Sequence, residues 1–73
     1  MKVEDYRINF VDNLRYLLKI RRMPWKHFAK LAGLGVNDMN NWRHGMNPSF
    51  KALIVISDYF EISIDELIGR GLE

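Results

Sequence analysis

Cysteine is absent from this chain. That excludes disulfides and thiolate metal ligands, and it suits a reducing compartment, so a cytoplasmic setting is expected. No apolar run approaches the length of a membrane span, and the opening MKVEDYRINF is too acidic and too polar to read as a signal peptide, so no membrane partner is expected. Also missing are a nucleophile–base pair, a phosphate-cradling glycine loop and an acid pair with a pocket to serve; Ser49, Ser57 and Ser63 read as caps or surface. No enzymatic activity and no cofactor are therefore expected. His27 and His44 share neither a helix face nor a set of carboxylates, which argues against a metal site.

What is present suits one small folded domain spanning residues 1–73. An apolar fraction of 48% argues against disorder. A chain of this size buries about 60% of its unfolded surface, and its stability should lie at roughly 4–11 kcal/mol. The net charge of +2 says little, but its distribution says more. Residues 1–30 hold eight Lys/Arg against three Asp/Glu, whereas residues 31–73 hold three against six. Between Arg15 and Lys30 lie six basic residues and no acid. Such an edge is either a solvated helix face or a surface that meets phosphate.

Hydrophobic spacing predicts five helices with short connections, an all-α bundle. Helix 1 should run from about Asp5 or Asn9 to Arg22, burying Phe10, Val11, Leu14 and Leu17. Pro24 suits the first turn of helix 2, about residues 24–32, which buries Phe28, Ala29 and Ala32. Helix 3 follows over about 36–44. Gly45-Met46-Asn47-Pro48 breaks the chain, and Ser49 is a plausible N-cap for helix 4, about 50–60, with Phe50, Leu53, Ile56 and Phe60 at helical spacing. Ser63-Ile-Asp-Glu66 has the capping-box form and opens a short helix 5 with Leu67 and Ile68, ended by Gly69 and Gly71.

The most informative stretch is WKHFAKLAGLGVNDMNNWRH, residues 25–44. Ala29 allows a second helix to come close, and Gly33 can take the left-handed conformation that ends a helix without a steric penalty. Met39 and Trp42, three apart, turn one side of helix 3 into the core. The other side carries Val36, Asn37, Asn40, Asn41 and His44. Two short helices crossing through a tight turn, the second apolar on one side and amide-rich on the other, point to DNA binding through the major groove.

From Asn13-Leu-Arg through Ala29, Gly33, Met39, Trp42, Gly45, Pro48-Ser49 and Leu53 to Phe60-Glu-Ile-Ser-Ile-Asp-Glu-Leu-Ile68, the chain resembles the Cro/repressor-type (XRE-like) helix-turn-helix domains of phage and bacterial regulators. The resemblance spans about residues 13–69. It implies a compact five-helix bundle of the phage-repressor type, double-stranded DNA as partner, and a repressor-like regulator as function. By position it implies that Val36, Asn37 and Asn41, with Asn40 beside them, meet base edges. Asn can bond bidentately to adenine and Val can meet a thymine methyl, so such a surface favours A·T steps. Lys26, Arg43, His44, Lys19 and Arg22 are the corresponding candidates for phosphate contacts.

Several positions depart from the family pattern. Trp25 stands where Gln usually holds a phosphate, and Gly35 where Ser or Thr commonly caps helix 3. Leu18 and Arg43 replace an Arg–Glu pair; because both members change together, no buried charge need be stranded, and Leu18 can lie against the stem of Arg43. Trp25 itself fits either packing over helix 1 or an exposed contact. One helix reads only a few base pairs, so a weak homodimer is expected, with two reading helices about 34 Å apart on one DNA face. Its surface should come from helix 5 and the tail, near Ile64, Leu67, Ile68 and Leu72. The altered positions also leave open a second reading: a protein-interaction module of the antitoxin or anti-repressor type that keeps the fold and has weak or lost DNA binding.

Overall fold

In the computed structural model, which describes residues 2–71, five helices follow one another: α1 (Val3–Ile20), α2 (Trp25–Ala32), α3 (Asp38–Arg43), α4 (Phe50–Phe60) and α5 (Ile64–Ile68). No strand occurs among the described residues. The all-α five-helix expectation holds, with shifted boundaries. Helix α1 begins earlier than expected because the Lys2 backbone N–H donates to Asp5 Oδ2 at 3.0 Å, and Glu4 and Asp5 place negative charge at the helix start. Ser49 caps α4, its Oγ accepting from Ala52 N at 3.0 Å. The expected capping box opens α5: Glu66 N donates to Ser63 Oγ at 3.0 Å, and Ser63 N donates to Glu66 Oε1 at 3.3 Å.

All five helices end alike, through a backbone bond spanning six residues that turns the chain out of the helix. Met23 N donates to Leu18 O at 2.9 Å, Leu34 N to Ala29 O at 2.8 Å, Met46 N to Asn41 O at 3.0 Å, Ile62 N to Ser57 O at 3.1 Å and Arg70 N to Asp65 O at 2.7 Å. The residue before each donor has positive φ. Glycine supplies it at three ends, but Arg22 (φ 53°) and Glu61 (φ 55°) adopt it with a Cβ in place, a conformation that costs about 1–2 kcal/mol. This is why α1 stops at Ile20 and leaves Arg22 outside the helix, against the expected end.

The core gathers Phe10 and Leu14 of α1, Phe28 of α2, Ile56 of α4 and Leu67 of α5, all fully buried, with Met39 and Trp42 of α3. Phe28 stacks on Phe60 at 5.4 Å between ring centroids, and Tyr59 meets both rings edge-on. Helix α5 docks on α1 through Asn13, whose Nδ2 donates to Leu67 O at 2.8 Å. There Gly69 approaches so closely that a Cβ would lie 2.8 Å from Asn9 Nδ2.

Some core assignments need correction. Leu18, not Leu17, is the buried leucine at the end of the α1 stripe; Leu17 and Ala32 are half-buried. Phe50 is 75% exposed. The buried stripe of α4 is Ala52, Ile56 and Phe60, and Phe50 lies two residues before it, about 200° around the helix. Leu67 is fully buried in the core, so it cannot contribute to a dimer surface as expected. Ile64 and Ile68 are half-buried, and Leu72 lies outside the described residues.

Replacing Trp42 by Ala should remove about 3–5 kcal/mol, most of the stability of a domain this small. Asn41→Ala should stay within about 0.5 kcal/mol of the parent. Urea melts of the two variants check this; equal midpoints would mean that the buried side of α3 has been misidentified.

Candidate nucleic-acid interface

Helices α2 and α3 are joined by the turn Gly33–Asn37. Gly33 is left-handed (φ 70°) and redirects the chain, and Leu34 tucks half-buried against the core. The candidate reading segment therefore begins in a turn and not in a helix. Helix 3 was expected from about 36, yet its regular part starts at Asp38. The cause is local: Gly35 N donates to Asp38 Oδ2 at 2.9 Å while Asp38 N donates back to Gly35 O at 3.1 Å, closing a one-turn loop before the helix. Asn37 rather than Gly35 is the N-cap residue, and its side chain makes no capping bond. Its amide is left unspent.

Val36, Asn37, Asn40 and Asn41 are all exposed, Val36 by 53%, on the side of the segment opposite Met39 and Trp42. These four candidates are thus presented together, Val36 and Asn37 from the turn and the other two from α3. His44 follows them on the same exposed side. Its Nδ1 lies 2.7 Å from the Asn40 carbonyl; a carbonyl only accepts, so Nδ1 is the donor there.

Trp25 resolves as packing. It is half-buried, edge-on to the Trp42 ring at 5.6 Å between centroids and tilted against Phe28 at 5.9 Å. Its indole Nε1 donates to the Val36 carbonyl at 2.8 Å. The residue at the start of α2 therefore spends its polar atom inside the domain, on the first residue of the reading segment.

The basic candidates Lys19, Arg22, Lys26, Arg43 and His44 are all exposed. The fold brings Lys19 and Arg43 together: with Arg15, they line one surface hollow whose other walls include Leu18 and Trp25. Leu18 and Arg43, the exchanged pair, line the same hollow. Lys26, Arg22 and His44 do not line that hollow. Among the described residues the only ion pair is Arg7–Glu4, at 3.5 Å, so these cations are not neutralised by a carboxylate within 4 Å. No group of three or more potential metal ligands occurs among the described residues, and no helix there is long and apolar enough to cross a membrane.

Sequence reasoning missed two residues. Arg15 was visible only as one of the six cations of the basic stretch. Arg7 was not singled out at all, yet its guanidinium Nη1 donates to the Trp42 carbonyl at the far end of α3. Its only sequence signal is a cation on the first turns of α1.

These elements form a helix-turn-helix with an exposed amide row on its turn and second helix and a basic flank, and comparison of the sequence with protein families agrees with it. The description of the Cro/C1-type HTH DNA-binding domain matches residues 13–71. The chain belongs to this family. The matched stretch covers the helix-turn-helix and all of α2 to α5, and it leaves the first ten residues of α1, Arg7 and Phe10 among them, outside. Comparison with curated proteins and with solved structures returns no match. Within this Cro/C1-type domain, the Asp38 loop sets where α3 begins. Asp38→Ala frees Gly35 N–H and should cost about 0.5–1.5 kcal/mol, whereas Asp38→Asn, which keeps an acceptor, should lose less than half of that. Urea midpoints of the two variants measure the difference.

Proposed function

We propose that this Cro/C1-type domain is a sequence-specific, repressor-like transcriptional regulator of bacterial or phage origin that lays α3 in the major groove of double-stranded DNA. The observation that carries this reading is the exposed row Val36, Asn37, Asn40 and Asn41, backed on its other side by the buried Met39 and Trp42. A buried back makes the row rigid, and amides on a rigid helix can discriminate adenine by paired bonds. Lys26, Arg43, His44, Lys19 and Arg22, with Arg15 added, hold the phosphates on either side, which positions the helix without reading sequence.

In this reading the domain acts as a weak homodimer, because half-sites add their discrimination roughly independently. Helix α5 supplies the surface through Ile64 and Ile68, together with Leu72. Ile68 also packs against the core, so Ile64 is the residue of choice for testing the contact.

A protein-interaction role is favoured by a different observation. Val3, Tyr6, Pro48 and Leu53 line an apolar cleft between the start of α1 and the start of α4, and Phe50 and Met46 stand 75% and 60% exposed nearby in sequence. Selection from a random duplex pool at two salt concentrations tests the regulator reading: a recovered palindrome supports it, and salt-sensitive binding without a consensus leaves only nonspecific charge attraction.

On the selected duplex, Asn37→Ala and Asn41→Ala should each weaken binding by about 1–3 kcal/mol and relax the sequence preference. Lys26→Ala should weaken all duplexes alike and flatten the salt dependence by about one unit. Titrations against selected and scrambled duplexes decide; Asn variants that behave as wild type would remove α3 as the reader.

For assembly, Ile64→Asp should reduce dimerisation while sparing the fold, since an acidic residue is favourable in the first turn of a helix. Sedimentation with and without a palindromic duplex tests it, and saturation by wild type at one chain per duplex would exclude the dimer.

A further inference from the structure

Helix α3 has six residues, too few to be stable by itself, yet it must hold amides to within a fraction of an ångström to read bases. Two side chains from other helices bond to the backbone at its two ends. At the entry, Trp25 Nε1 of α2 donates to the Val36 carbonyl at 2.8 Å. At the exit, Arg7 Nη1 of α1 donates to the Trp42 carbonyl. Val36 immediately precedes Asn37, and Trp42 immediately follows Asn41, so the two bonds bracket the amide row.

Each anchor is itself held. The Trp25 ring rests on Trp42 and Phe28. The Arg7 side chain is only 9% exposed, and its Nη2 lies 3.5 Å from Glu4 Oε1. Phe10, one turn after Arg7 on α1, meets the Trp42 ring edge-on at 5.2 Å. A cation at the carbonyl end of a helix is also favourable electrostatically.

We propose that Trp25 and Arg7 are positioning residues for base recognition, fastening the entry and the exit of the reading segment, and that the first turns of α1 are therefore part of the reading unit although they lie outside the family's matched stretch. This rests on the DNA-reading function proposed above. Neither side chain touches a base in this scheme; each sets where the Asn37 and Asn41 amides stand. Trp25 thereby exchanges an outward phosphate contact for an inward one.

The test uses the full chain with Trp25→Phe, which keeps a ring and deletes the N–H, and Arg7→Gln, with Arg7→Lys as the conservative variant. Two quantities are measured: amide hydrogen exchange residue by residue in the absence of DNA, and the ratio of affinities for the selected and a scrambled duplex at one salt concentration. Both loss variants should speed exchange of the 38–46 amides by about three- to tenfold, the size expected from one hydrogen bond. Amides of α4 and α5 should keep their wild-type rates. The affinity ratio should fall by a similar factor while scrambled-duplex binding stays within about twofold, and Arg7→Lys should recover part of both effects. Wild-type exchange in 38–46, or an equal rise in every helix, would overturn the fastening. Faster local exchange with an unchanged affinity ratio would leave the anchors structural and overturn their role in recognition. If the wild type itself shows no preference for any duplex, the DNA-reading function fails, and the exchange rates still report on the fastening separately.

Discussion

The outward side of α3 depends on the seating of Trp42. Its ring is pinned between Phe10 of α1 and Trp25 of α2, at 5.2 and 5.6 Å, both edge-on. A helix of six residues has no orientation of its own to defend. With Trp42 buried and Met39 beside it, the rotation of α3 about its axis is set, and the exposure of Asn40, Asn41 and His44 follows. The backbone of the same residue is engaged as well, through Arg7. One aromatic side chain thus joins three helices and turns a short, weak helix into a rigid one.

Electrostatics adds to this without competing with it. Arg43 has no ion pair within 4 Å among the described residues and shares an open hollow with Arg15, Lys19 and Leu18. Burying such a group would be costly, but Arg15, Lys19 and Arg43 are all exposed. Asp12 lines the adjoining hollow with Arg7, Arg15 and Arg43. Arg15, Lys19 and Arg43 leave a positive edge beside α3, which suits a phosphate backbone in the function proposed above.

Much of this was legible from local spacing. Met39 and Trp42 three apart, the Ser63–Glu66 box, the Ser49 cap and Gly33 each act within four residues, where backbone geometry leaves few choices, and each was found in its expected role. Errors arose where a neighbour in space decided. Phe50 fits a helical stripe by spacing alone, but the packing of α4 is set by Ala52, Ile56 and Phe60. Leu67 read as free surface at the end of the chain, yet Asn13, 54 residues away, holds its carbonyl and α1 covers its side chain. Arg22 turns the chain out of α1 without the glycine that normally signals a helix end, so that helix stops two residues short of its expected end, whereas α4 ends where expected.

The sequence by itself determined the class of fold, the order of its helices, and the polar and apolar sides of the reading segment, because periodicity and capping are properties of neighbours along the chain. The tertiary structure alone decided that Trp25 turns its indole inward to Val36, that Arg7 reaches the carbonyl of Trp42 across 35 residues, and that Arg15, Lys19 and Arg43 converge. Those contacts join residues whose separation along the chain carries no periodic signal. Their partners are backbone carbonyls or other cations, so nothing in the residue types announces the pairing; only the docking of α1 and α2 against α3 brings them within reach.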